Sequence, residues 1–195
     1  NTQAGKVLAL DYLREYSDLV TGLGLRRHLD GARVFNAAVA LEVPVRDICA
    51  HFDTVSICLS KGLGCPMGSL LVGDQATIAR ARRWRKMLGG GLRQAGVVAA
   101  AGLHALHHHI DDLAQDHDNA RRLATGLQAI DGFRLAEEPQ TNMVMLDASM
   151  DMAPLQPLLT DAGIRISGHR WVLHRDISAT DVDTILGACE RFARA

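Results

Sequence analysis

The segment from Thr54 to Gly64 constrains this chain most. Thr54-Val55-Ser56-Ile57-Cys58-Leu59 is a β-branched, apolar run, and Ser60-Lys61-Gly62-Leu63-Gly64 follows it directly. The run reads as a buried strand and the glycines as a tight turn, so the strand hands a lysine onto a loop. Upstream, Asp30-Gly31-Ala32-Arg33 closes another apolar stretch in the same way.

The surrounding pattern alternates helix and strand. Leu8 to Val20 carries apolar residues at near-helical spacing and ends before Thr21-Gly22, which predicts a helix. Leu25 to Leu29 reads as a strand, Val34 to Leu41 as a helix, and Val45 to His51 as a short helix behind Pro44. Val55 to Leu59 and Ser69 to Val72 read as two buried strands flanking the loop from Lys61 to Gly68 with its three glycines and Pro66. Asp74 fits as N-cap of a helix over Gln75 to Leu88, whose basic residues crowd the later turns, and Gly89-Gly90-Gly91 stops it. This is α/β grammar.

From Leu92 to about Ile130 the pattern is helical almost throughout, first small and apolar (Ala95 to Ala105), then charged (His107 to Arg122). That change predicts a helix leaving one packed layer and crossing to another, with a domain boundary inside it: residues 1–110 as part of a larger α/β domain, residues 111–195 as a small α+β domain. In the latter, strands are expected near Phe133 to Ala136, Met143 to Asp147, Ile164 to Ser167 and Trp171 to Arg175, with helices over Ala153 to Ala162 and Asp181 to Arg194.

With 195 residues, 48% of them apolar, the chain can bury a substantial core. Its 21 basic and 22 acidic residues are interspersed, which argues against a nucleic-acid face and for a small-molecule partner. Cys49, Cys58, Cys65 and Cys189 show no CxxC spacing and read as reduced thiols of a cytosolic protein. The longest apolar stretches, such as Gly96 to Leu106, are too short to span a bilayer. The opening Asn1-Thr2-Gln3-Ala4-Gly5-Lys6-Val7 shows neither an initiator methionine nor a signal pattern, and reads as the middle of a longer polypeptide.

A pyridoxal phosphate site needs a lysine for the Schiff base, a carboxylate at the pyridine nitrogen, donors for the phosphate and a cation for the substrate carboxylate. Lys61 follows an apolar strand, where burial would favour the neutral amine; its spacing also fits a surface turn lysine. Asp30 sits among apolar neighbours and suits a buried cationic partner, or equally the N-cap of the next helix. Arg33 and Arg170 lie in apolar or small surroundings and suit bidentate carboxylate recognition, or a surface salt bridge.

His28-Leu29-Asp30-Gly31-Ala32-Arg33-Val34-Phe35-Asn36-Ala37, then Ser60-Lys61-Gly62-Leu63-Gly64, then Arg83-Trp84-Arg85-Lys86 with Gly89-Gly90-Gly91-Leu92-Arg93-Gln94, resemble the low-specificity threonine aldolases, fold-type-I pyridoxal phosphate enzymes. The resemblance runs along essentially the whole chain and corresponds to the C-terminal part of the family's sequence. It implies that Lys61 is the Schiff-base lysine, Asp30 the partner of the pyridine nitrogen, and Arg33 a ligand of the cofactor oxygen or the substrate carboxylate. It further implies that Arg170 grips the amino-acid carboxylate, that Arg93 lies near the phosphate or a neighbouring subunit, and that Ser60 donates to the phosphate. The family's phosphate-cradling Gly-Thr turn and ring-stacking histidine have no counterpart in these residues.

The implied activity is cleavage of L-threonine, L-allo-threonine and related β-hydroxy-α-amino acids to glycine and an aldehyde, in a cytoplasmic homo-oligomer, dimer or tetramer. Another fold-type-I lyase, such as a β-eliminating enzyme, and an inactive fragment are the rival expectations. His169 is the one local candidate for the β-hydroxyl base. His104, His107 and His108 stand at i, i+3 and i+4, a spacing open to a metal ion or to a solvated helix face, and the expectation is no metal.

Overall fold

The computed structural model describes residues 4–194, which form two compact units: residues 7–111, and residues 112–194 with 4–6. The first contains α1 (Leu10–Gly22), β1 (His28–Gly31), α2 (Val34–Ala40), α3 (Val45–Cys49), β2 (Thr54–Cys58), β3 (Ser69–Gly73), α4 (Gln75–Met87) and α5 (Gly96–His108). Its sheet runs β1-β2-β3, with β1 parallel and β3 antiparallel to β2. Leu13, Val34, Phe35, Ile48, Val55, Leu59 and Leu63 are among the residues that fill its core.

Two expectations are corrected in this unit. The first strand starts at His28, not Leu25, because α1 runs on to Gly22 and residues 23–25 close it. The Leu23 and Leu25 N–H groups donate to the Leu19 and Val20 carbonyls (3.1 and 3.2 Å), and Gly24 turns the chain at φ +66°. The strand Ser69–Gly73 forms as expected but is not buried: it is the edge of its sheet, and Leu70, Leu71 and Val72 are 42–48% exposed. At α4, Asp74 is the N-cap, accepting from the Thr77 N–H at 2.7 Å.

The second unit holds α6 (Leu113–Gln128), β4 (Leu135–Glu137), β5 (Met143–Leu146), α7 (Leu155–Asp161), β6 (Arg170–Val172) and α8 (Ala179–Ala193), around an antiparallel sheet β4-β5-β6. Its core joins Leu123 and Leu127 of α6 to Val144 and Leu146 of β5, Leu155 and Leu159 of α7, and Val182 and Cys189 of α8. Ser178 and Asp181 form a capping box that opens α8. Gly5, at φ +69°, accepts the Thr141 hydroxyl on its carbonyl (2.8 Å), and any side chain there would collide with that hydroxyl.

The single helix expected from Leu92 to Ile130 is two helices, broken after His108. Neither glycine nor proline marks the break, which is a turn over residues 109–112. The strand expected at Ile164–Ser167 is also absent. Ile164 and Ile166 do alternate inward with exposed Arg165 and Ser167, but no strand pairs with them, and glycines in left-handed backbone (Gly163, φ +78°; Gly168, φ +73°) bracket the segment. Among the described residues no helix is long and apolar enough to cross a membrane.

Asp116 is the strained element of this unit. It is 2% exposed, and its Oδ2 has no hydrogen-bond partner among the described residues. Burial pushes its carboxyl up from 3.8 to about 6, against the pull of His174 and Arg175 and reinforced by Asp112 and Asp176.

Two outcomes follow from these packing and charge relations. Leu127→Ala, at a fully buried position, should cost about 2–5 kcal/mol in urea unfolding. For Asp116, the folded unit holds its proton more tightly than the unfolded chain, so its contribution falls as pH rises from about 4 to about 6, by about 3 kcal/mol. Asp116→Asn should remove that slope and raise the melting temperature near neutral pH; a difference curve flat across this window would refute the assignment.

Candidate active site

The parallel pairing of β1 with β2 brings the C-terminal ends of both strands to one side of the sheet, where α/β sheets bind their ligands. Asp30 is register-paired with Ser56, and Lys61 stands just past the end of β2. Gly31 lets the strands approach, since a side chain there would meet the Ser56 carbonyl at 2.8 Å.

The loop after β2 is tied to itself. The Leu59 N–H donates to the Gly68 carbonyl (3.0 Å), the Cys65 N–H to Leu59 (3.0 Å) and the Gly64 N–H to Lys61 (2.8 Å). Leu59, Leu63 and Cys65 take the buried positions, and burial, then the Cys58 thiol, raises the Cys65 pKa. Because those three point inward, Ser60 and Lys61 are left exposed. The expectation that this unit encloses the Lys61 amine in an apolar strand end is therefore corrected. The Lys61 amine makes no hydrogen bond or ion pair among the described residues, whereas that of Lys6 is paired with Glu137 at 2.7 Å.

Asp30 is not a helix N-cap. That position belongs to Arg33, while among the described residues the Asp30 Oδ1 accepts only from the Ala32 N–H, at 3.2 Å, and the carboxylate remains exposed. Arg33 is half-buried at the same end of the sheet. The Ser60 hydroxyl lies 3.5 Å from the Cys58 sulfur. Arg93 is exposed in the segment between α4 and α5.

Arg170 belongs to the other unit, exposed at the start of β6. There it lines a groove of about 560 Å³ with Ile164, Ile166, Trp171 and His174. His169, the candidate base, has its Nε2 2.8 Å from the Met150 carbonyl, so it donates to that oxygen.

The histidine run is arranged differently from its spacing. The His104 ring lies 4.6 Å from that of His108 and 5.0 Å, edge-on, from His109, while His107 touches only His108 among them, at 6.2 Å. Among the described residues no group of His, Cys, Asp or Glu is placed to hold a metal ion. His109 has a partner that its spacing did not indicate: its Nδ1 lies 2.7 Å from the Leu63 carbonyl.

The first unit thus gathers at one sheet end an unengaged amine, an exposed carboxylate, a hydroxyl and a guanidinium. That donor set fits pyridoxal phosphate: Lys61 for the aldehyde carbon, Asp30 for the ring nitrogen, Ser60 and Arg33 for its oxygens.

The comparisons with known proteins bear on the family and the fold. The model of the beta-eliminating lyase family matches residues 1–151. Low-specificity L-threonine aldolase 1 of Arabidopsis thaliana is 38% identical over 98% of this chain and 57% of its own length. The low specificity L-threonine aldolase of Escherichia coli K12 is 42% identical over 91% of this chain and 54% of its own. The chain therefore spans little more than half the length of these curated relatives. Among solved structures, Leishmania major threonine aldolase superposes with a TM-score of 0.79 at 19% identity (98% of this chain, 59% of that one). Sphingomonas wittichii serine palmitoyltransferase does so at 0.73 and 22% (97% and 52%), and both likenesses are of fold. With its α/β fold shared and the family match covering most of its length, this chain belongs to the beta-eliminating lyase family of fold-type-I, pyridoxal phosphate-dependent enzymes.

Proposed function

We propose that this chain serves a carbon–carbon lyase that cleaves L-threonine, L-allo-threonine and related β-hydroxy-α-amino acids to glycine and an aldehyde. The observation that carries the proposal is the joint position of Asp30 and Lys61 at the C-terminal ends of two paired parallel strands, with the Lys61 amine unengaged. The likeness to two low-specificity threonine aldolases supports the substrate class.

Pyridoxal phosphate, when bound, supplies an electron sink for the pair released as the Cα–Cβ bond breaks. The chain's own residues hold and orient. Lys61 would anchor the cofactor, Asp30 would keep a positive charge on the ring nitrogen through its carboxylate, and Ser60, Arg33 and Arg93 would engage oxygens. Arg170 and Arg33 are the candidates for the substrate carboxylate, each a guanidinium able to bind it as a bidentate partner, and such a grip fixes which bond at Cα stands ready to break. His169 stays the local candidate for the β-hydroxyl base: its Nε2–H donates to the Met150 carbonyl, which leaves Nδ1 as the basic nitrogen of the ring.

In the same proposal residues 1–110 contribute to the cofactor domain and residues 111–195 form the small domain. The protein is a cytosolic homo-oligomer, a dimer or tetramer. Support for the cytosol comes from four cysteines, all free. The family match also favours a second reading, a β-eliminating lyase acting on a related amino acid.

In the full-length protein, Lys61→Ala should lower kcat/KM for threonine on the order of a thousandfold or more, and Asp30→Ala on the order of a hundredfold. Turnover unchanged by either would contradict the assignment. Product analysis separates the two readings: glycine with acetaldehyde supports the aldolase, and a keto acid with ammonia supports β-elimination.

A further inference from the structure

We propose that His109 is a positioning residue for the lysine loop, its imidazole binding the Leu63 carbonyl to the end of α5 and so fixing the turn that presents Lys61. The part of this that concerns catalysis rests on Lys61 being the cofactor anchor; the clamp itself does not.

The loop from Ser60 to Gly68 is glycine-rich, and Gly64 and Gly68 stand at φ +70° and +113°. Its internal hydrogen bonds pair Leu59, Lys61, Gly64, Cys65 and Gly68 with one another. Such a turn closes on itself but gains direction only from what holds it to the rest of the unit. Leu63 lies at its centre with 3% exposure, and a buried carbonyl there needs a partner.

That partner comes from α5, which runs beneath the loop and touches it repeatedly along one face. A Cβ on Gly68 would meet the Val98 side chain at 3.1 Å, the Cys65 thiol donates to the Ala101 carbonyl at 3.5 Å, and a Cβ on Gly102 would meet the Leu59 side chain at 3.1 Å. Ala105, wholly buried, continues the face. These contacts are apolar or weak. At the C-cap of α5, His109 adds the short one: Nδ1–H donating to the Leu63 oxygen at 2.7 Å. The ring is steadied by the edge contact with His104 and by the His109 N–H bond to the Ala105 carbonyl at 2.8 Å. The bond joins residues 46 apart in sequence and constrains a carbonyl two residues from Lys61.

The chemistry of the contact supplies a test by substitution. Asparagine carries an amide nitrogen on Cγ, as histidine carries Nδ1, so His109→Asn keeps the donor while His109→Leu removes it. Amide hydrogen exchange on this chain should be about fivefold or more faster at Gly64 and Cys65 in His109→Leu, unchanged in the α6 and α8 core, and restored to within about twofold by His109→Asn. In the full-length protein, absorbance titration with pyridoxal phosphate should show the affinity weakened in the leucine variant and recovered in the asparagine variant. Wild-type protection in His109→Leu would overturn the proposal, as would failure of His109→Asn to restore it. If the leucine variant does not fold, the asparagine variant decides alone: wild-type exchange supports the clamp, loss of protection overturns it. Loop loosening without any change in cofactor affinity would overturn the positioning role. A wild-type protein that binds no pyridoxal phosphate would instead defeat the reading of Lys61 and leave the exchange result standing.

Discussion

The parallel pairing of β1 with β2 is the constraint on which the proposed chemistry of this chain depends. Parallel strands must point their C-terminal ends the same way, and register then fixes which residues share that end. Asp30 opposite Ser56 sets the carboxylate level with the last turn of β2, from which the chain passes directly to Lys61. A shift by one residue would send Asp30 to the opposite face of the sheet.

The lysine loop shows how a short glycine-rich segment acquires definition. Its buried members, Leu59, Leu63 and Cys65, anchor it in the core, while its own backbone hydrogen bonds close the turn. The cost of burying three neighbours is that the polar residues between them face outward. Exposure of Lys61 follows from this arrangement and, in the proposed function, suits an amine that meets a diffusing aldehyde.

Much of this was legible in the sequence. The apolar run before Lys61, the Asp74 cap and the glycine stop after α4 carry local signals, and the elements they mark, β2 and α4, formed within a few residues of their expected bounds. What sequence could not show was non-local. Leu25 has the apolarity of a strand residue but its N–H is used to close α1, and Ile164–Ser167 has strand alternation without a partner strand. Ser69–Gly73 forms a strand whose exposure depends on what lies beside it, which composition does not record. The histidine run invited a reading by helical spacing, yet His109 sits where the helix ends and its ring turns to a carbonyl 46 residues away. Asp116 gave no signal either, because burial of a carboxylate depends on packing between α6 and the turn after β6.

The central claim is that Lys61 anchors the cofactor. The chain has three lysines, Lys6, Lys61 and Lys86, and of these Lys61 is the one that follows directly on the C-terminal end of the parallel strand pair. Borohydride reduction of the full-length protein with pyridoxal phosphate, followed by peptide mapping, tests it directly. The account predicts the pyridoxyl label on the peptide containing Ser60-Lys61-Gly62; a label on another lysine, with Lys61 unmodified, would contradict it.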